Sequence, residues 1–414
     1  MKKSLVALAA MAVVGGASAQ VVISGYFGGS VDAFSISNAN AARTGNTSET
    51  RVTDNSSRLI FNVTEDLGGG LKALGQYDLR IPLDANQRGS HVCAPNAGTT
   101  PTVTCVAPYQ VNGGNQHVGL SGGFGAVRLG RQDIHYTEGG HFMPIGTATI
   151  QSHAGLLTTA ANGQNVSRAS RSSNLLWWTT PTVQNFSGVL GYSTQSYATS
   201  GYVDIENDMA SGQRKGGTTY VKAQYANGPI TAVYSQINEK SDWIGTTAVG
   251  MTAGAPETLW AAEQNNADRQ GSIFSAKYDF GIAKVGYARA QNTSQVHTAG
   301  TGALGVTSKR GVNQYGVGIP MGASTIAVTF TSVGNVQADG VETANTSAKA
   351  TSATYAYDLS KNTQLVASYM TLKNASAATH SLFYNASSVV GSSGSTALAG
   401  EKHNVISIGT RVGF

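Results

Sequence analysis

The chain of 414 residues carries 27 Lys and Arg against 22 Asp and Glu, a formal charge of +5 that falls to +3 once Lys2 and Lys3 are removed; this is too weak and too dispersed for a nucleic-acid surface. Only 12% of residues are charged, against about a quarter in an average soluble domain, while Gly (51) and Tyr (17) are abundant and Pro (9) is scarce, the profile of many short strands joined by tight turns. Beyond the N-terminal segment no run approaches about eighteen consecutive apolar residues, which excludes a bundle of membrane-spanning helices.

In chain order, Lys2 and Lys3, the apolar run from Leu5 to Val14 and the triplet Ala17-Ser18-Ala19 read as a secretory signal peptide, residues 1–19, cut before Gln20. The run is too short for a membrane anchor, and residues 20–414 read as one unit. From Val21 to Ala33, alternation sets Val21, Ile23, Phe27, Val31 and Ala33 on one face and Ser24, Tyr26, Ser30 and Asp32 on the other. Arg58 to Thr64 alternates likewise, and the tight Glu65-Asp66-Leu67-Gly68-Gly69-Gly70 leads into Leu71 to Ile81. There Leu71, Ala73, Tyr77 and Leu79 face outward and Lys72, Gln76, Asp78 and Arg80 inward. Cys93 and Cys105 share the long polar segment that follows. In an exported chain they read as a disulfide, with two free thiols as the alternative.

The same alternation of tight turn and long connection recurs. Paired runs are Gln116 to Ser121 with Ala126 to Arg131, Arg171 to Thr180 with Ser187 to Thr194, and Gly217 to Tyr225 with Ile230 to Gln236. Gly271 to Tyr278 with Ile282 to Ala290, Gly311 to Ile319 with Ser324 to Ser332, and Thr351 to Tyr357 with Gln364 to Thr371 complete the set. The terminal stretch NVISIGTRVGF, Asn404 to Phe414, sets Ile406, Ile408, Thr410, Val412 and Phe414 on one face. Its open edge needs a neighbour, and the first strand supplies one, so Phe414 stands at the closure. The count is sixteen, which predicts an all-β, 16-stranded antiparallel transmembrane β-barrel with both termini on the short-turn side. A barrel of that size is too wide for side chains to fill and encloses water.

By strict alternation Arg58, Lys72 and Arg80 share an inner wall, and Arg128 also points inward. Arg131 counts outward but follows Gly130, where a bulge can re-aim it; the direction of Arg171 depends on the register of its strand. Guanidinium groups stay charged at any relevant pH. The eight histidines lie mostly in loops, without metal-ligand spacing or a partnered nucleophile, so no catalytic set, metal or cofactor is read. A barrel hydrolase would need acid, base and nucleophile at one rim. A surface adhesin would be either an outer-membrane barrel with sticky loops or a secreted β-solenoid, and a solenoid would repeat at a short fixed period, which this chain does not do.

Several words then stand together: Ser57-Arg58-Leu59-Ile60-Phe61 running into Thr64-Glu65-Asp66-Leu67-Gly68, Gly70-Leu71-Lys72-Ala73, Val118-Gly119-Leu120-Ser121, Leu129-Gly130-Arg131-Gln132, Asp358-Leu359-Ser360-Lys361, and the terminal aromatic strand. With these the chain resembles the trimeric general porins of Gram-negative outer membranes, most of all the beta-proteobacterial and neisserial group. The resemblance implies long extracellular loops, short periplasmic turns, and a third loop, Asp133 to Ser170, folded into the barrel to narrow it. It implies a homotrimer in outer-membrane lipid and lipopolysaccharide, inserted by the barrel assembly machinery through its C-terminal strand, and passive diffusion of ions and small hydrophilic solutes. Small outward residues (Gly25, Gly29, Ala73, Gly75) suit subunit packing. The resemblance also makes Arg131 a lumen residue. The expected constriction therefore sets a basic wall of Arg58, Lys72, Arg80, Arg128, Arg131 and Arg171 against Asp133 and Glu138 on the loop, with a mild preference for anions.

Overall fold

The computed structural model describes residues 19–43, 46–81, 83, 93–95, 103–105, 114–135, 138, 153–159, 166, 171–194, 217–240, 267–297, 304–380 and 397–414. Sixteen antiparallel strands follow one another around a closed sheet. They are β1 Gln20–Ser37, β2 in two segments, Ser48–Asp54 and Arg58–Gly68, β3 Leu71–Arg80, β4 Gln116–Gly122, β5 Gly125–Asp133, β6 Arg171–Thr179, β7 Phe186–Ser193 and β8 Gly217–Asn227. The second half comprises β9 Ile230–Lys240, β10 Ala267–Asp279, β11 Lys284–His297, β12 Leu304–Met321, β13 Ser324–Val333, β14 Ala348–Asp358, β15 Thr363–Asn374 and β16 Lys402–Gly413.

Closure is made by β1, which pairs with β2 along one edge and with β16 along the other, from Tyr26↔Gly413 to Ser37↔Lys402. Phe414 completes the seam. Its N–H and C=O each exchange a 3.2 Å hydrogen bond with Gly25, and its ring lies 5.6 Å from that of Phe27. β1 thus has a neighbouring strand on each side, as a sheet that crosses a membrane requires.

Burial follows the two-residue period. In β16, Ile406 and Ile408 are 55% and 66% exposed while the alternating Val405 and Ser407 are buried. In β1, Val31 faces out and Asp32 is fully enclosed. The apolar residues are thus on the outside, the inverse of a soluble sheet and the pattern of a wall in lipid. Tight turns close the β2–β3, β8–β9 and β12–β13 hairpins. The β2–β3 turn needs φ of 84°, 61° and 82° at Gly68, Gly69 and Gly70, which only glycine adopts without steric cost.

Two segments differ from the sequence expectation. The polar stretch before Ser57 contains the upper part of β2, Ser48–Asp54, separated from the rest by a break at which Ser56 takes φ 62° and the pairing with β1 slips by one residue. Ser57 Oγ bridges the break, accepting from the Gly28 N–H at 3.0 Å and donating to its C=O at 3.3 Å. The connection after Val333, expected as loop, holds a hairpin of Val336–Ala338 and Val341–Thr343 turned at Asp339-Gly340, both with positive φ. Residues 1–18 of the expected signal peptide lie outside the described residues. Cys93 and Cys105 are opposite one another in a short antiparallel pair, Cys93–Pro95 with Val103–Cys105; their side chains lie outside the described residues.

Candidate functional site

Between β5 and β6, the described residues 134–135, 138, 153–159 and 166 are mostly buried against the inner wall. A single helical turn, α1 Ala154–Leu157, buries Leu156 and Leu157 among Ile273, Ala290 and Val312 of β10, β11 and β12. Each such leucine contributes about 2 kcal/mol of burial. Polar contacts fix the path. Asn292 of β11 donates through Nδ2 to the carbonyls of Leu157 (2.8 Å) and Thr159 (2.9 Å), and His153 Nδ1 meets Thr331 Oγ1 of β13 at 2.8 Å. Nearer β5, His135 Nδ1 meets Ser235 Oγ of β9 at 2.9 Å. Burial pushes both imidazoles down, His135 to about 3 and His153 to about 4, so they are neutral hydrogen-bonding groups. At Gly271 of β10 a Cβ would come within 2.7 Å of Val166 and 2.8 Å of His135, so the wall is bare where the loop touches it.

Glu138 is the polar anchor of this segment. Its carboxylate accepts from Tyr220 Oη (2.9 Å) and pairs with Lys222 Nζ (2.9 Å), both on β8, while its backbone carbonyl accepts from Ser275 Oγ (2.9 Å) of β10. Glu138 is enclosed and held against β8 and β10; its described ion pair is with Lys222 rather than with an arginine of the opposite wall.

On that other wall three guanidinium groups meet two carboxylates. Arg58 of β2 and Arg80 of β3 are direct register partners, and like charges so placed repel. Asp78 stands between them, 3.6 Å from Arg58 and 3.2 Å from Arg80. Arg171, the first residue of β6, pairs with Asp133, the last of β5, at 3.1 Å, and Arg80 feels the charges of Arg58, Arg171, Asp78 and Asp133 together. Asn115 ties the two halves: its carbonyl accepts from the Asp78 N–H and its side-chain oxygen from the Asp133 N–H, each at 2.9 Å. Tyr26 of β1 supports the edge, accepting from Arg58 Nη2 at 3.0 Å while Arg411 stacks over its ring at 3.8 Å. The three arginine side chains are 12–18% exposed, so their heads reach water with a net formal charge of +1.

The remaining basic residues are elsewhere. Lys72 is exposed at the short-turn end of β3, eight residues from Arg80, or about 26 Å along a strand. Arg128 lies five residues below Asp133 and donates to Thr179 Oγ1 at 3.2 Å. Arg131 follows Gly130, whose φ is 140° and where pairing with β6 shifts register; it is half-buried, with its Nε enclosed. Asp78 and Asn115 were not among the site residues read from sequence. Asp78 had the right parity, but nothing in a one-dimensional pattern marks it as the bridge between two register-paired arginines.

The sequence matches the model of the Gram-negative porin family over residues 4–377. The chain is a Gram-negative porin. It is 31% identical over 289 residues to outer membrane porin protein 32 of Delftia acidovorans, covering 69% of this chain and 68% of that protein. Among solved structures, the anion-selective porin from Comamonas acidovorans superposes with a TM-score of 0.67 at 22% identity, covering 96% of this porin and all of that chain. OmpT of Vibrio cholerae superposes with a TM-score of 0.58 at 13% identity, covering 96% and 98%. The porin is therefore a multi-pass β-barrel of the outer membrane that forms a water-filled channel for ions and small hydrophilic solutes. The proteins it matches are channels rather than enzymes.

Proposed function

We propose that Arg58, Arg80 and Arg171, with Asp78 and Asp133, form the selectivity element of the channel and give it a mild preference for anions. The observation that carries this reading is the gathering of three guanidinium groups from β2, β3 and β6 around only two carboxylates, with their heads in contact with water. A fixed positive charge at a narrowing lowers the energy of an anion and raises that of a cation by equal amounts. The inward segment carrying Glu138, braced by Lys222 and α1 on the far wall, supplies the narrowing. The anion-selective porin of Comamonas acidovorans, which shares the fold, agrees in sign. Reversal potentials in planar bilayers under a KCl gradient test the proposal; a clear preference for potassium overturns it.

Around this centre the remaining features have parts to play. Residues 1–19 act as a cleaved export signal. Three copies associate through outer walls that include Gly25, Gly29, Ala73 and Gly75, in contact with lipid and lipopolysaccharide, and the C-terminal strand ending at Phe414 engages the barrel assembly machinery. Cys93 and Cys105 form a disulfide: direct partners in an antiparallel pair stand about 4.5–5.5 Å apart at Cα, within the span of that bond. The porin works without catalysis, metal or cofactor. Unheated gel mobility and native mass report the trimer, and the mass of the mature protein with and without reduction reports both the cleavage and the bond.

A further inference from the structure

Beneath the arginine cluster, on the short-turn side of Asp133 and Glu138, the lumen wall opens into a cavity of about 620 Å³. That volume is within the range of small-molecule sites, about 300–1,000 Å³. We propose that it is a binding subsite for hydroxylated monocarboxylates of sugar-acid size, separate from the selectivity element above it. The inference rests on the channel reading but not on the sign of its ion preference.

Charge comes first. Glu138 in the roof is neutralised by Lys222, and Asp133 by Arg171. Arg128 of β5 pairs with no carboxylate among the described residues. Its Nη1 is held by Thr179 Oγ1 at 3.2 Å, which orients the group and leaves its other donors to the cavity. Gly119 beside it keeps the floor open, since a Cβ there would stand 2.9 Å from Arg128 Cγ. An oriented, partly exposed guanidinium with no carboxylate partner among the described residues is a carboxylate receptor.

Hydrogen-bonding groups come next. Asn62 and Gln76, inward partners on β2 and β3, share one bond of 2.8 Å from Gln76 Nε2 to Asn62 Oδ1. That bond leaves Asn62 Nδ2 as a donor and Gln76 Oε1 as an acceptor, both without a partner among the described residues. A donor beside an acceptor matches a hydroxyl, which is both. By strand spacing Gln76 lies about 12 Å from Arg128, two strands across and two residues along, with Asn62 one strand further, a span for an extended polyol acid rather than acetate. An aromatic acid is disfavoured. Of the rings in the lining, Trp177 and Tyr220 are only 5% and 3% exposed, and Trp177 packs edge-on against His117 with centroids 5.3 Å apart at 81°, so no flat platform is presented for stacking.

The test uses the whole folded porin in planar bilayers, with sodium gluconate and sodium acetate titrated into KCl on the short-turn side. Gluconate should block the current saturably, at a half-blocking concentration at least tenfold below that of acetate. Arg128→Gln should raise the gluconate value at least tenfold, and Arg128→Lys, which keeps the charge, should recover most of the block. Gln76→Leu should bring gluconate and acetate together. Unheated gel mobility verifies that each variant is folded. Equal block by gluconate and acetate in the wild type, or gluconate block untouched by Arg128→Gln, overturns the subsite. The chloride-to-potassium ratio of the same wild-type membranes, without added acid, is read separately: a potassium preference there sinks the proposed selectivity element and leaves a gluconate block standing.

Discussion

Replacing Arg80 by glutamine removes one of three cationic heads and takes the net formal charge of the cluster from +1 to zero. The arginine side chains are only 12–18% exposed, but the passing ion is in water, so water's dielectric constant sets the lower bound on the energy it feels. At about 5 Å in water one unit charge is worth about 0.8 kcal/mol to a monovalent ion. Chloride gains that energy and potassium loses it, so the gap between them is about 1.7 kcal/mol before screening. At 0.1 M salt the Debye length of about 10 Å reduces the gap to about 1 kcal/mol, and at 1 M to about 0.3 kcal/mol. Arg80→Gln should therefore lower the chloride-to-potassium permeability ratio about fivefold at 0.1 M and less than twofold at 1 M. Reversal potentials across a KCl gradient, measured at both mean concentrations, give the two ratios. A variant whose reversal potential matches the wild type at 0.1 M, or a change that fails to shrink with salt, refutes the assignment of Arg80 to the selectivity element.

Asp78→Asn should move the ratio the other way by a similar factor, because the cluster then carries +2. It should also lower the temperature at which the barrel loses its compact gel mobility, since Arg58 and Arg80 would face each other with no carboxylate between them. Glu138→Ala leaves Lys222 and Tyr220 without their partner, and breaking such a buried pair costs about 3–5 kcal/mol. Single-channel records should show a larger and noisier open level, and an unchanged level would mean that α1 alone holds the segment. In the loop before β16, burial pushes the Glu401 carboxyl up, but hydrogen bonds from Arg43, the Leu398 N–H, His403 and the Asn40 N–H outweigh it and hold the group at about 2. A folded value below the ordinary 4.5 means that this contribution to stability is full above pH 4.5 and fades as pH falls towards 2. Arg43→Gln should accordingly speed proteolysis of the flanking loops at pH 7, with the difference from wild type narrowing below pH 4. Gly130→Ala should abolish assembly, because a Cβ there would stand 2.2 Å from the Gln116 carbonyl that pairs across β4 and β5.

The barrel was legible because lipid on one side and water on the other impose a two-residue period that survives in Val31 beside Asp32 and in Ile406 and Ile408 beside Ser407. Where both faces are polar or small the period vanishes, which is why Ser48–Asp54 and the Val336–Thr343 hairpin read as loop. The site was legible by face but not by height. Parity set Arg58, Lys72, Arg80 and Arg128 inward alike, yet only strand position separates Lys72 at the turn end and Arg128 in the cavity from the Arg58–Arg80 pair. Asp78 and Asn115 escaped notice because their significance is relational: one bridges two cations, and the other ties β3 to β5 through a backbone and a side-chain contact.

The seam between Gly25 and Phe414 makes the presence of both β1 and β16 a physical precondition of the fold. A message cut short by even one strand yields a product whose first edge has no mate, and such a product cannot seal itself off from the hydrocarbon around it. The wall therefore depends jointly on the two strands that lie farthest apart in the described sequence.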